Sequence, residues 1–516
     1  MNVDHHLLLA GQNLLGSLSS DDSYLPYWHM VVDERRNARY EFRPYCTGHN
    51  VGRWWNALLR LENSTNFEIP DHIENAMLEN SWRLANNKSG IFLEDVNPRE
   101  PATWYIHSYR ETMLALGLLV SHRGSEQARK CGLRAVSGMG NASNNLMEWR
   151  FSFTGAPSLA KQGNTAAPAY SHGRAIEGLL CFYEASGEQI ALDEAERLSD
   201  FHFDYLVNED GSLSSNCGHH THSYLNTIRG LLLIAKLQNH QEHLEILYRT
   251  YQNAVKSMIT LSGFVTHDIG DRYGGDIASA GDIAHIALIL WDRYGDAQLL
   301  DDAERIVRAR LIPAQVCDPV PLQPMIDWSG DSVQDLASRF VGTIGGSVGH
   351  VTGQTCVTDF TAAALHSLLE LYDRSVDISD KTVRVNFHFD RQLPNLSISC
   401  VRNDCTATIS VTNNTGKQVQ LRLPNWTNSA KSTLRVDGQP STIDIENGYV
   451  IVSQRDSESH TELSFELPSY EIVEQTRDES VDEEMVTFGW RGDEIFQVDN
   501  GKSYLEPHPS LCKSVL

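Results

Sequence analysis

Gly187–Arg197 reads GEQIALDEAER, and Gly295–Arg305 reads GDAQLLDDAER. The two copies are offset by 108 residues, and half of that offset is about the length of one helical hairpin. Outward from them, apolar positions recur at helical spacing from about residue 48 to 375, in segments separated by Gly, Asn or Asp. Six first helices of successive hairpins are predicted to begin near His49, Arg110, His172, His220, Asp276 and Cys356, each followed by a more polar partner. The expected fold is mainly α, an (α/α)6 toroid over residues 1–378 whose inner helices turn their starts toward one mouth. Polar residues at those starts then converge on a funnel, and ordinary helix capping is the competing reason for finding them there.

After Ser375 the period changes from 3.6 to 2. Val383–Phe389, Leu396–Val401, Thr406–Val411, Val419–Leu423, Thr433–Val436, Tyr449–Val452 and Leu463–Leu467 read as strands. Asp437-Gly438 and Asn447-Gly448 supply the positive-φ residues that tight hairpins need. Residues 379–516 are therefore expected to form an antiparallel β-sandwich.

Bulk properties exclude several classes. A formal charge of −25 without a Lys/Arg cluster argues against nucleic acid and anionic membranes as partners. Met1–Gly16 reads as a first helix rather than a secretory leader, and no run approaches the ~20 apolar residues of a membrane span. Nine cysteines without any CxxC fit reduced thiols. The expectation is a cytoplasmic protein.

The stretch Thr266-His267-Asp268-Ile269-Gly270-Asp271-Arg272-Tyr273-Gly274-Gly275-Asp276 crowds carboxylates into one loop before an inner helix. Paired carboxylates can protonate a leaving oxygen and activate a water, so Asp271 and Asp276 are candidate acid and base for glycosidic cleavage; a solvated turn is the plainer reading. His219-His220-Thr221-His222 opens another inner helix, and His172 opens a third. Imidazoles there suit proton transfer, metal ligation or hydrogen bonds to sugar hydroxyls. Trp54, Trp55, Trp104, Tyr105, Tyr273 and Trp328 offer flat faces for sugar rings, although Trp54 and Trp55 sit mid-helix, where a core role competes.

The pattern resembles the β-L-arabinofuranosidases of glycoside hydrolase family 127 over most of the chain. Ser171-His172 through Tyr183-Glu184 to Gly187-Glu188 is similar to a family helix, and Leu421-Arg422-Leu423-Pro424-Asn425-Trp426, Val436-Asp437-Gly438, Gly448-Tyr449 and Leu467-Pro468 are similar to its β-domain in order and spacing. The resemblance places His172, His220 and His107 on active-site histidines and Asp271 on the acid/base. Substrate contacts are expected at His107, Glu111, His222, Tyr273, Trp328 and Thr355, and the resemblance makes a homodimer plausible. The family's chemistry uses a cysteine nucleophile held on zinc by three cysteines and a glutamate. Here the glutamate position reads Asp276, the first cysteine Ala278, and the cysteine pair Thr355-Cys356. Asp276 and Cys356 alone do not make a tetrahedral zinc site, so no cofactor is expected. The expected function is cleavage of a glycosidic bond in a small carbohydrate by carboxylate chemistry. A sugar-binding relative without catalysis, and an epimerase or lyase using His172 and His220, are the alternatives.

Overall fold

The computed structural model describes residues 1–499 apart from 34, 43–46, 88–89, 93–107, 143–145, 147–149, 152–157, 160–171, 261–262, 264, 271–275, 346–352, 454–457 and 479–480. Its helices are α1 (Val3–Gly16), α2 (Thr47–Ser64), α3 (Asp71–Leu84), α4 (Ser108–Arg123), α5 (Glu126–Ala142), α6 (Ala175–Ser186), α7 (Gln189–Leu206), α8 (Thr221–Leu237), α9 (Gln241–Thr250), α10 (Ile277–Tyr294), α11 (Ala297–Ile306), α12 (Leu336–Phe340) and α13 (Val357–Asp373). Helices α2, α4, α6, α8, α10 and α13 form an inner ring, each packed on the next and α13 back on α2. These are the six helices expected from the sequence. Helices α3, α5, α7, α9 and α11 pack outside them. The sixth outer place departs from expectation: after α13 the chain enters a strand at Val376, and α1 covers α13 instead. The N-terminal helix thus closes the ring.

The two repeated stretches are equivalent turns from an inner to an outer helix. Gly187 and Gly295 both take left-handed backbone conformations, φ 70° and 71°, and their amides donate to Tyr183 and Trp291 carbonyls at 2.7 Å. Glycine acts differently at Gly52, where α2 meets α4. A Cβ there would stand 2.6 Å from Glu111 Cβ and 2.7 Å from its carbonyl carbon and oxygen. Alanine favours a helix over glycine by about 1 kcal/mol, yet the clash is with backbone. Gly52→Ala is therefore expected to destabilise by about 1–3 kcal/mol in urea unfolding; a stabilised variant would show that the helices can part without cost.

The β-domain begins at Val376, three residues before the expected boundary. One sheet orders Ile445–Glu446, Tyr449–Val452, Gln418–Arg422, Thr382–Val385 and Val376–Ile378; the other orders Arg391–Leu393, Leu396–Arg402, Thr406–Asn413, Ser459–Glu466, Thr433–Val436 and Gln439–Ser441. Alternate residues such as Val383, Leu421, Ile409 and Leu463 fill the space between them. Both expected hairpin turns are present, with φ 52° and 77° at Asp437-Gly438 and 50° and 82° at Asn447-Gly448. The sandwich is not wholly antiparallel. Thr382–Val385 pairs parallel with Gln418–Arg422, because the intervening hairpin lies in the opposite sheet and the chain returns in the same direction. A further sheet, Ser469–Asp478, Val481–Arg491 and Glu494–Asp499, packs Phe488, Trp490 and Ile495 against Ala309.

Docking of the sandwich uses the second copy of the repeat. Arg422 pairs with Asp301 and Glu304 of α11, and the Asn425 amide donates to Asp301 Oδ2 at 2.9 Å. Phe387 and Phe389, expected in a strand, lie beyond its end at Val385 and enter the helical core. A small sheet escaped the sequence reading: Gln323–Pro324, Asn37–Glu41, His29–Val32 and Gly353–Cys356 pair side by side. Its strands are short and their partners distant in the chain, so no periodicity marks them. Among the described residues no helix is long and apolar enough to cross a membrane.

Candidate active site

An apolar helix buried on all sides can carry charge only where each charge meets its opposite. The inner helices do this within their first two to three turns. Arg53 Nε lies 3.4 Å from Glu111 Oε1 and 3.1 Å from Asp359 Oδ1. Arg110 donates to Glu111 at 2.6 Å and to Glu177 at 2.7 Å. Arg229 donates to Glu177 at 2.7 Å and to Asp282 at 2.8 Å. Asp282 accepts from His222 Nδ1 at 2.6 Å, and His222 Nε2 meets Arg53 at 2.7 Å. The path closes on itself and touches all six inner helices. Because a guanidinium only donates, Nε2 of His222 is the acceptor and Nδ1 carries the proton, so this imidazole is neutral.

Burial alone would raise the Glu111 carboxyl, but Arg110, Arg53, His49 and Arg174 outweigh it and hold it at about 2. For Asp282 burial prevails against Arg229 and Arg110 and pushes it up to about 6. Asp359 is held well below the usual carboxylate range by Arg53 and His49, against burial. The sequence carried a signal for this ring. His49 and Arg53, Arg174 and Glu177, and His222, Asn226 and Arg229 recur at helical spacing inside otherwise apolar helices.

Above the ring lies a second group. His220 caps α8 and its ring centroid is 6.0 Å from that of His222. His220 Nδ1 lies 2.7 Å from Ser223 Oγ. Asp276 caps α10, its Oδ1 accepting from the amides of Ala278 at 2.8 Å and Ser279 at 3.3 Å. Asp276 is only 2% exposed; burial raises its carboxyl, with His267 opposing. His267 joins them from the loop before α10, its ring 4.8 Å from that of His220. One ligand atom from each of His220, His267 and Asp276 lies within 4.8 Å of the others. Backbone bonds tie the loops together: Thr221 N to His267 O at 3.0 Å, Ile269 N to His219 O at 2.6 Å, and Asp276 N to Val265 O at 2.8 Å.

Of the residues expected at the site, His220 and Asp276 come together, and His267 was missed as a member. His222 is near but locked between Arg53 and Asp282. Glu111 is fully buried in the ring, paired with Arg110. His172 is buried with Nε2 on the Leu146 carbonyl at 2.7 Å and Nδ1 on His202 at 2.9 Å, and burial lowers it to about 4. The bond to His202 ties the start of α6 to α7. Trp54 and Trp55 are core, their indole nitrogens donating to Leu14 O at 3.2 Å and Ser81 Oγ at 2.8 Å. Trp328 stays 45% exposed beneath the Arg39 guanidinium beside the small sheet. Thr355 and Cys356 lie on the strand Gly353–Cys356 that leads into α13. Asp271, Tyr273, His107, Trp104 and Tyr105 lie outside the described residues.

Residues 376–469 match the family described as beta-L-arabinofuranosidase, GH127 middle domain. The chain is similar in fold to a GH127 beta-L-arabinofuranosidase from Geobacillus stearothermophilus T6, at 13% identity and TM-score 0.53 over 86% of this chain and 76% of that one. The match and the fold make the chain similar to GH127 proteins. A second GH127 beta-arabinofuranosidase is similar at 12% identity and TM-score 0.57, covering 94% of this chain and 78% of that one. The cellobiose 2-epimerase of Bacillus thermoamylovorans B4167 shares the toroid, at 11% identity and TM-score 0.53, over 70% of this chain and 95% of that one. No curated protein matches by sequence. This GH127-like chain does not fit the zinc centre that the resemblance implies. Ala278 has no ligand atom and instead gives its amide to Asp276, and Thr355 has no thiol.

Proposed function

We propose that the protein is a sugar-processing enzyme that cleaves a glycosidic bond of a small carbohydrate at the mouth of the toroid. Asp276 carries this reading: it is a buried carboxylate that spends one oxygen on its helix cap and stands among His220 and His267 at the starts of two inner helices. In this scheme Asp276 takes a proton from the attacking water, Asp271 gives one to the leaving oxygen, and His220 and His267 hold sugar hydroxyls. The ionic ring beneath fixes the helix starts, which sets the spacing of these groups.

A panel of aryl glycosides and short oligosaccharides, followed by mass analysis, tests the reading through the appearance of a shorter product. Asp276→Asn keeps the capping oxygen and so the fold, and is expected to lower turnover about 100-fold. Full activity in that variant removes Asp276 from the chemistry. Epimerisation is the second reading, favoured by the paired imidazoles His220 and His267; it predicts an isomer of unchanged mass. Saturable sugar binding in calorimetry without either product would leave a binding protein.

A further inference from the structure

We propose that His220, His267 and Asp276 form a binding site for a first-row divalent transition metal ion. Two imidazoles and a carboxylate are donors that such ions prefer over Mg²⁺ or Ca²⁺, which favour all-oxygen shells. Their ligand atoms lie within 4.8 Å of one another without any ion. Bonds of about 2.0–2.2 Å to nitrogen and oxygen require each to move inward by only about an ångström.

The orientation of the groups is set from behind. His267 Nδ1 lies 3.1 Å from Asp268 Oδ1, the carboxylate–imidazole pairing that turns Nε2 toward a metal. His220 Nδ1 caps α8 by accepting from the Ser223 amide at 3.2 Å and lies 2.7 Å from Ser223 Oγ, so for Nε2 to ligate an ion Nδ1 must give up the amide and donate its proton to Oγ. Asp276 holds its cap through Oδ1, so Oδ2 can bind without unwinding α10. The bridge between His220 and Asp268 and the Asp276 amide on Val265 keep the donors on rigid backbone. His267 is 53% exposed, which leaves a path for the ion and for water as further ligand. Asp276 supplies the negative charge of the donor set.

Only Asp276 is shared with the zinc centre implied by the family resemblance, so the donor set proposed here is a different one. A bound ion would present a water of lowered pKa at the mouth. An ion held by these three side chains would take over the direct roles proposed for them above, its bound water standing where Asp276 would otherwise act as base; binding is measured without sugar, so its failure is distinguishable from that of the proposed function.

Chelator-treated full-length protein is titrated with Zn²⁺ and with Co²⁺, following heat in one case and the visible absorption of tetrahedral or five-coordinate cobalt in the other. One ion per chain is expected, with affinity weakened by about 100-fold or more in His267→Ala and in Asp276→Asn. His267 is exposed and Asn retains the cap, so both variants should fold, and circular dichroism checks this. No saturable binding by folded protein overturns the proposal. So does binding that survives His267→Ala, including binding lost instead in Cys356→Ser.

Discussion

Arg229→Met is expected to cost about 3–5 kcal/mol, because it leaves Glu177 and Asp282 buried with a cation removed between them. The side chain is nearly isosteric in its stem and Arg229 is 1% exposed, so lost packing contributes little. The cost is that of uncompensated charge. With domain stabilities of about 5–15 kcal/mol, this one change can consume a large part of the total. Urea unfolding of the variant measures it. The triple variant Arg229→Met/Glu177→Gln/Asp282→Asn should recover much of the loss, since it removes the stranded charges as well. A single-variant loss below about 1 kcal/mol, the scale of an exposed pair, would mean that water reaches the ring and screens it.

The ring also explains which parts of this molecule could be read from sequence. Helix starts and hairpin turns are local, and Gly187, Gly295, Asp437-Gly438 and Asn447-Gly448 each took the conformation that their chemistry demands. All seven expected strands are present because alternation is a local pattern too, with ends shifted where Phe387 and Phe389 leave the sheet for the helical core. Closure of the toroid by α1 is not local, since it pairs residues separated by most of the chain. The small sheet containing His29–Val32 and Gly353–Cys356 fails to appear in the sequence for the same reason.

For the site, convergence of helix starts was legible and the fate of each polar side chain was not. Glu111 and His220 both open inner helices, yet Glu111 meets Arg110 and Arg53 and is sealed in, while His220 meets His267 at the mouth. The difference is made by partners on other helices. His267 was in view as part of the loop before Asp276, but only the backbone bridge from His220 to Asp268 brings it against its partners. The two roles of the interior follow. Paired charge below gives rigidity, and His220, His267 and Asp276 above are the groups to which the proposed chemistry is assigned.

Acidification is expected to unfold the protein well before most carboxylates on its surface are protonated. His172, His285 and His366 are fully buried, and burial lowers them to about 4, 3 and 4. Their folded pKa values lie below the unfolded 6.5, so the unfolded chain binds more protons between the two. Stability is then full above pH 6.5 and falls as pH drops toward 4. Glu111, held at about 2 against an unfolded 4.5, adds loss below pH 4.5, and Glu177 and Glu370 act in the same direction through Arg110, Arg229 and Arg60. Asp282 opposes: raised to about 6 from 3.8, it binds a proton earlier in the folded state and stabilises between those values. Asp276, Glu184 and Asp373, which burial also raises, act with Asp282, but the lowered groups outnumber them, and the summed loss reaches the scale of the folding stability itself, about 5–15 kcal/mol. Thermal unfolding followed by circular dichroism should show Tm level near neutrality, declining from about pH 6.5 and collapsing between about pH 5 and 3. A Tm unchanged down to pH 4.5 would show that the histidines are already protonated in the folded protein, and the neutral interior described here would then have to be replaced by a hydrated one.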